Sequence, residues 1–244
     1  MKQKKKVICI IPARGGSKGL KLKNLQKVCG KPLIFYPIKA AIKSGVCDQI
    51  FVSTDSKKIA NEAKRFGADV PFLRKSRYSK DLTTTEETLK NALLEYEKYS
   101  KIKFDYCVFL TCTNIFRNSE WITRGVKILK KDSKVDSVFS VHHLYKHFWH
   151  FDKKYKKFKK ILPWMRNYTS RQIAPVLYRE DTGNTLITKS KFWRKGKRIG
   201  KNCKFIVNTD PFTGIDIHSK KDLLMAEFAM NYAKKNKLYD FLNE

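Results

Sequence analysis

A chain of 244 residues is long enough to bury one substantial core and too short for two ordinary domains. With 42% hydrophobic and 13% aromatic residues it carries enough apolar side chain to offset the ordering cost of folding, which excludes a disordered polypeptide. The 53 Lys and Arg against 22 Asp and Glu, a formal charge of +31, would draw phosphate-bearing molecules, yet the lysines are scattered, with clusters only at Lys2 to Lys6 and Lys153 to Lys160 and no nucleic-acid module around them.

The basic start runs into an apolar segment, Val7 to Ile11, that stops at Pro12, too short for a signal-peptide core, and nothing later approaches a membrane span. A cytoplasmic protein is expected, with no membrane partner and with its six cysteines reduced; none stands in a Cys-x-x-Cys pair, and several lie in apolar runs as small core residues. Val7 to Ile11 reads as a buried parallel strand. A helical stripe follows over Pro32 to Ser44 and closes at Gly45, then a strand over Gln49 to Ser53 and a helix from Ser56 to Phe66. The alternation predicts an α/β fold with a mainly parallel sheet covered on both faces.

It continues with a short strand near Val70 to Leu73, a helix over Thr84 to Tyr99 with Glu86 and Glu87 near its start, a strand over Tyr106 to Leu110, a helix over Trp121 to Leu129 and a strand over Ser137 to Val141. From His142 to Val176 the rhythm breaks into an aromatic, basic, non-periodic stretch, expected as an inserted arm within the single 1–244 domain that packs on a second copy, with a lid or core filling as the alternatives. The rhythm resumes with a strand over Thr185 to Thr188, a helix around Lys189 to Trp193, a strand near Phe205 to Asn208 and a closing helix over Ser219 to Lys234.

Directly after the first strand stands Ala13-Arg-Gly-Gly-Ser-Lys-Gly-Leu-Lys-Leu-Lys-Asn24. Glycines allow close backbone approach and successive N–H groups make an anion nest, while Arg14, Lys18, Lys21 and Lys23 add positive charge, as a triphosphate that must lose pyrophosphate requires. The spacing is neither that of a Walker loop nor that of a dinucleotide fingerprint.

This run resembles the signature of the CMP-sialic acid synthetases (acylneuraminate cytidylyltransferases), Ala-Arg-x-x-Ser-Lys-x-x-x-x-Lys-Asn, at Ala13, Arg14, Ser17, Lys18, Lys23 and Asn24. Gly30 to Leu33, Val52 to Asp55, Arg74 with Ser79 and Asp81, Ser170-Arg-Gln172, Leu177-Tyr-Arg-Glu180 with Gly183, and Gly214-Ile-Asp-Ile-His-Ser-Lys-Lys-Asp-Leu223 resemble further family segments. Two positions depart: Thr111 stands where the family has a glutamine that reads cytosine, and His218 where it has the second of two metal-binding aspartates. One extra residue precedes Gly183 relative to the common spacing.

The resemblance implies a three-layer α/β/α Rossmann-like nucleotidyltransferase fold, a homodimer built through 142–176, and Mg²⁺-dependent coupling of CTP to a sialic-acid-like nonulosonic acid with release of pyrophosphate. It implies catalytic roles for Arg14, Lys18, Lys23 and Asp216, and nucleotide contacts from Ala13, Arg14, Gly15, Ser17, Asn24, Arg74, Asp81, Thr111 and Thr113. Sugar contacts fall to Arg117, Arg171, Gln172 and Arg179, and the metal to Asp216, with His218 a poor second because Mg²⁺ prefers hard oxygen ligands. The alternatives are a legionaminic, pseudaminic or other sugar-acid acceptor, or a basic nucleic-acid-binding homologue that has lost turnover, against which Arg14, Lys23, Asn24 and Asp216 survive together.

Overall fold

A strand with no polar side chain, such as Val7 to Ile11, can be satisfied only inside a sheet covered on both faces. In the computed structural model, which describes residues 5–17, 19–167, 170 and 172–239, β1 (Val7–Pro12) has that position. Along the chain follow β2 (Lys27–Val28), β3 (Lys31–Pro32), α1 (Phe35–Lys43), β4 (Gln49–Ser53), α2 (Lys57–Arg65), α3 (Thr85–Ser100), β5 (Tyr106–Phe109), α4 (Ser119–Lys131) and β6 (Ser137–Leu144). Then come β7 (Trp149–Asp152), β8 (Lys157–Lys160), β9 (Leu177–Glu180), β10 (Leu186–Lys189), α5 (Ser190–Arg194), β11 (Cys203–Asn208) and α6 (Lys220–Lys235).

The main sheet has seven strands in the order β11-β6-β10-β5-β1-β4, with β9 also on β6. Period-2 alternation sorts β1 between two cores: Val7, Cys9 and Ile11 pack with α1, α2, α4 and α6, and Ile8 and Ile10 with α3 and α5. The three layers expected from the sequence are therefore present. The sheet itself is mixed. β1 runs parallel to both β4 and β5, and β6 to β11, whereas β9 and β10 run antiparallel to their neighbours.

The reason is the excursion after β6. Both β9 and β10 lie antiparallel on the same edge of β6, Glu180 opposite Val141 and Leu186 opposite Phe139, so residues 181–185 bulge out against the single residue Ser140. Ser140 holds both ends of the bulge: its N–H donates to Thr185 O, its hydroxyl to Asp181 O, and its carbonyl accepts from Asp181 N. A bulge of this kind aims residues away from a ladder.

One expectation needs correction. Val70 to Leu73 forms no strand: pairing beside β4 ends in a single bridge from Asp69 to Phe51, because Pro71 has no N–H to extend a ladder. The described part of the 142–176 stretch carries strand pairing of its own. β6 extends into it to Leu144, and β7 and β8 form a hairpin in which Phe151 faces Phe158, rings 5.2 Å apart edge to face. Its strands are short and exposed on both faces, so no burial rhythm marks them in the sequence.

The helices begin where their caps dictate. At α3 the Thr84 hydroxyl accepts the Glu87 N–H at 3.2 Å while the Glu87 carboxylate accepts the Thr84 N–H at 2.9 Å. Those bonds hold the Glu87 carboxyl below the ordinary range, so this contribution is present above the unfolded carboxyl pKa and fades as pH falls through the folded one. Replacing Thr84 by Ala should cost about 1 kcal/mol at neutral pH, a melting decrease of about 2–4 °C by calorimetry.

Candidate active site

With β4 on one side of β1 and β5 on the other, chain order reverses at β1, and a crevice opens beyond the carboxyl ends of the three parallel strands. The turn after β1 lies there, clipped at several points. Ala13 N donates to Ser53 O, Gly15 N to the Asp55 carboxylate at 2.8 Å, and the Asn24 amide to Arg14 O at 2.9 Å. Gly15 lies against Ser56, whose Cβ would be 3.0 Å from a side chain there.

The crevice is a cleft of about 330 Å³, adequate for a nucleotide, with Arg14, Lys23, Asn24, Arg74, Asp81, Thr111 and Thr113 among its walls. Arg14 Nη1 is paired with Asp81 at 2.7 Å, and Arg74 Nε donates to Ser79 at 3.0 Å. Burial lowers the pKa of Arg74, and nearby Asp55 opposes the shift. Cys112 is on the floor, its thiol pushed up to about 12 by burial and so neutral.

Asp216 is brought to this turn from the far end of the sheet. Its carboxylate lies 3.0 Å from His218 Nε2, whose Nδ1 lies 3.4 Å from the Lys23 ammonium. Burial pulls the Lys23 pKa down, and Asp216 is the largest influence in the opposite direction. Two close contacts fix the 215–218 segment. Ile217 N donates to Thr113 O, and a Cβ on Gly19 would come within 2.5 Å of His218 O. Asp216 and His218 are both well exposed, and no cluster of three or more potential metal ligands exists among the described residues. The half-exposed carboxylate suits a hard cation completed by phosphate and water oxygens; the imidazole suits it poorly.

Other expected positions fall differently. Ala13 is buried with its N–H occupied, and so lies beneath the cleft. Gly15 and Ser17 belong to the same turn without lining the cleft. The Thr111 hydroxyl is committed to Asn114 Oδ1 at 2.7 Å and Gly183 O at 3.0 Å, so it is not positioned as a base reader. Arg117 is a correction: it is completely buried, donating to Thr111 O at 2.8 Å and Gly183 O at 3.2 Å, and cannot reach a sugar. Arg179 is bound through Nε and Nη2 to Asp181, beside Gly214, while Gln172 is exposed with no tie to this cluster. Lys18 and Arg171 lie outside the described residues.

No role is assigned from the sequence to Asp55, Tyr78, Thr85, Thr88 or Asn114. Asp55 was within reach: β4 pairs in register with β1, Ser53 opposite Pro12, so the residue just past β4 must meet the turn just past β1.

A three-layer sheet with a cation-lined crevice at its switch point defines the class, a nucleotidyltransferase. The chain belongs to the cytidylyltransferase family, whose model matches residues 8–233. It is 40% identical over 136 residues to CMP-N,N'-diacetyllegionaminic acid synthase of Legionella pneumophila, covering 56% of this chain and 57% of that protein, little more than half its length. It is 28% identical over 226 residues to Post-translational flagellin modification protein B of Campylobacter coli, covering 91% and 94%. Among solved structures, CMP:2-keto-3-deoxy-manno-octonic acid synthetase complexed with CTP superposes with a TM-score of 0.67 at 14% identity over 93% of this chain and 99% of that one, which shows the shared fold.

The Gly19 contact is testable. Gly19→Ala should destabilise by about 1–3 kcal/mol in denaturant titration, the usual cost of forced overpacking, whereas Gly16→Ala, with nothing within 4 Å of its new Cβ, should be close to neutral.

Proposed function

We propose that the protein couples CTP to a nonulosonic acid of the sialic, legionaminic or pseudaminic type, releasing pyrophosphate, in the cytoplasm. One observation carries this reading: the Asp216 carboxylate stands beside Lys23 at the cation-lined cleft rather than on another face of the molecule. The sugar's anomeric hydroxyl attacks the α-phosphorus of CTP, and the bond from that phosphorus to the bridging oxygen of pyrophosphate breaks. Nothing covalent is asked of the protein; its task is to hold the two reactants in line and neutralise the phosphate oxygens.

Arg14, Lys23 and, from the same turn, Lys18 take the triphosphate, which means that Arg14 exchanges Asp81 for phosphate. Arg74 and Asn24 position the nucleotide, with the 78–88 segment closing the opposite wall. Arg179, already held by Asp181, presents the remaining end of its fork to the sugar carboxylate, with Arg171 and Gln172 as further candidates. Asp216 would hold Mg²⁺, with His218 a weaker second ligand, and the bound ion would supply positive charge to the phosphate oxygens.

The 142–176 arm is the dimer element of this reading. Its hairpin presents Trp149 at 52%, Phe151 at 50% and Phe158 at 67% exposure, apolar surface that a second copy would cover.

Purified protein with CTP and Mg²⁺ should release pyrophosphate on addition of one or more acids from a panel of sialic, legionaminic and pseudaminic acids. Lys23→Ala and Asp216→Asn should each lower kcat/KM by about 10²-fold or more, the order lost with one charge-stabilising group. Absence of release with every acid, together with tight salt-sensitive RNA binding, overturns the proposal. Light scattering at micromolar concentration should give twice the chain mass, and Trp149→Glu should shift it toward the single chain; a monomer in the unaltered protein refutes the arm's role.

A further inference from the structure

A buried guanidinium normally has a carboxylate beside it, because an unpaired charge in the interior is expensive. Arg117 has none. It is fully buried, and its partners among the described residues are carbonyls, those of Thr111, Asn114 and Gly183, all reached from Nη2. Its Nε and Nη1 reach no partner among the described residues, and burial brings its pKa down to about 10. Such a costly group is retained in a position where it ties two otherwise separate pieces of backbone together.

Thr111 and Asn114 belong to the loop that leaves β5 and forms the cleft floor; Gly183 sits in the bulge between β9 and β10, four residues after Arg179. The junction is close-fitting. Thr111 donates to Gly183 O through both its N–H, at 2.9 Å, and its hydroxyl, at 3.0 Å, and a Cβ on Gly183 would collide with Asn114 Oδ1.

We infer that Arg117 is a positioning residue, whose buried guanidinium clamps the bulge at 181–185 onto the cleft-floor loop and so fixes the acceptor's binding edge relative to the nucleotide. This rests on the reading of the site as a cytidylyltransferase centre with Arg179 on the acceptor side. The cleft is walled independently by Arg14, Lys23, Arg74 and the 78–88 segment, and Thr113 keeps its own tie to Ile217. Release of the clamp therefore spares the nucleotide and misplaces the acceptor.

The test is steady-state kinetics with both substrates varied, alongside equilibrium dialysis of CTP. Arg117→Met should raise KM for the sugar acid by about tenfold or more and lower kcat, while KM and Kd for CTP stay within about twofold. Arg117→Lys, which keeps a charged donor that can serve several carbonyls, should recover most of the loss. Gly183→Ala strains the same junction from the other side in a chain that retains Arg117, and should show the same split even where Arg117→Met does not fold. Equal loss of CTP and acceptor affinity in Gly183→Ala, or no change in acceptor KM, overturns the inference. Failure of the unaltered protein to turn over any acid of the panel would instead sink the proposed function, so the two outcomes are separable.

Discussion

The site depends on one close approach, that of the turn after β1 to the backbone carbonyl of His218. Hydrogen at position 19 lets the two chains meet. Without that contact Lys23 and Asp216 belong to loops at different places in the sequence and the sheet, and positive and negative charge would not face one another. Burial weakens the Lys23 ammonium's hold on its proton, and Asp216 offsets only part of that effect. Two further cations are likewise engaged: Arg14 of the cleft by Asp81, and Arg179 of β9 by Asp181. A charge of +31 thus says less about the site than the few cations that the fold holds in place, Arg14 and Arg179 among them, each beside a carboxylate.

How much of this was legible in the sequence follows from the range of the interactions involved. Strands buried on both faces and helices with capping boxes are local, and Gln49 to Ser53 or the helix starting at Thr84 could be placed from composition and caps alone. The turn after β1 was readable for the same reason, since glycines and cations follow β1 without interruption. The direction of β10 was not, because a strand's own residues do not reveal which way its neighbour runs. Nor did Val70 to Leu73 reveal that Pro71 would end its pairing after one bridge, although the missing N–H was there to be counted.

The side-chain assignments divide along the same line. Arg14, Lys23 and Arg74 line the cleft and Asp216 lies near Lys23, whereas Arg117 and Thr111, drawn from an equally recognisable segment, turn inward to hold backbone. A motif fixes which residue types recur and leaves open whether a side chain faces ligand or carbonyl. Asp55 shows the converse. It had no assigned part, yet strand register places it under Gly15, where it orients the N–H groups of the turn.

The interruption at 181–185 sits inside an edge of the sheet whose pairing resumes on either side, with Ser140 closing both ends. Residues can be gained or lost there without shifting the register of β9 or β10, since each ladder is pinned by its own partners on β6. The extra residue before Gly183 that the family resemblance implies falls in this stretch. A change of length there would move the loop that carries Gly183 while leaving both ladders on β6 in place.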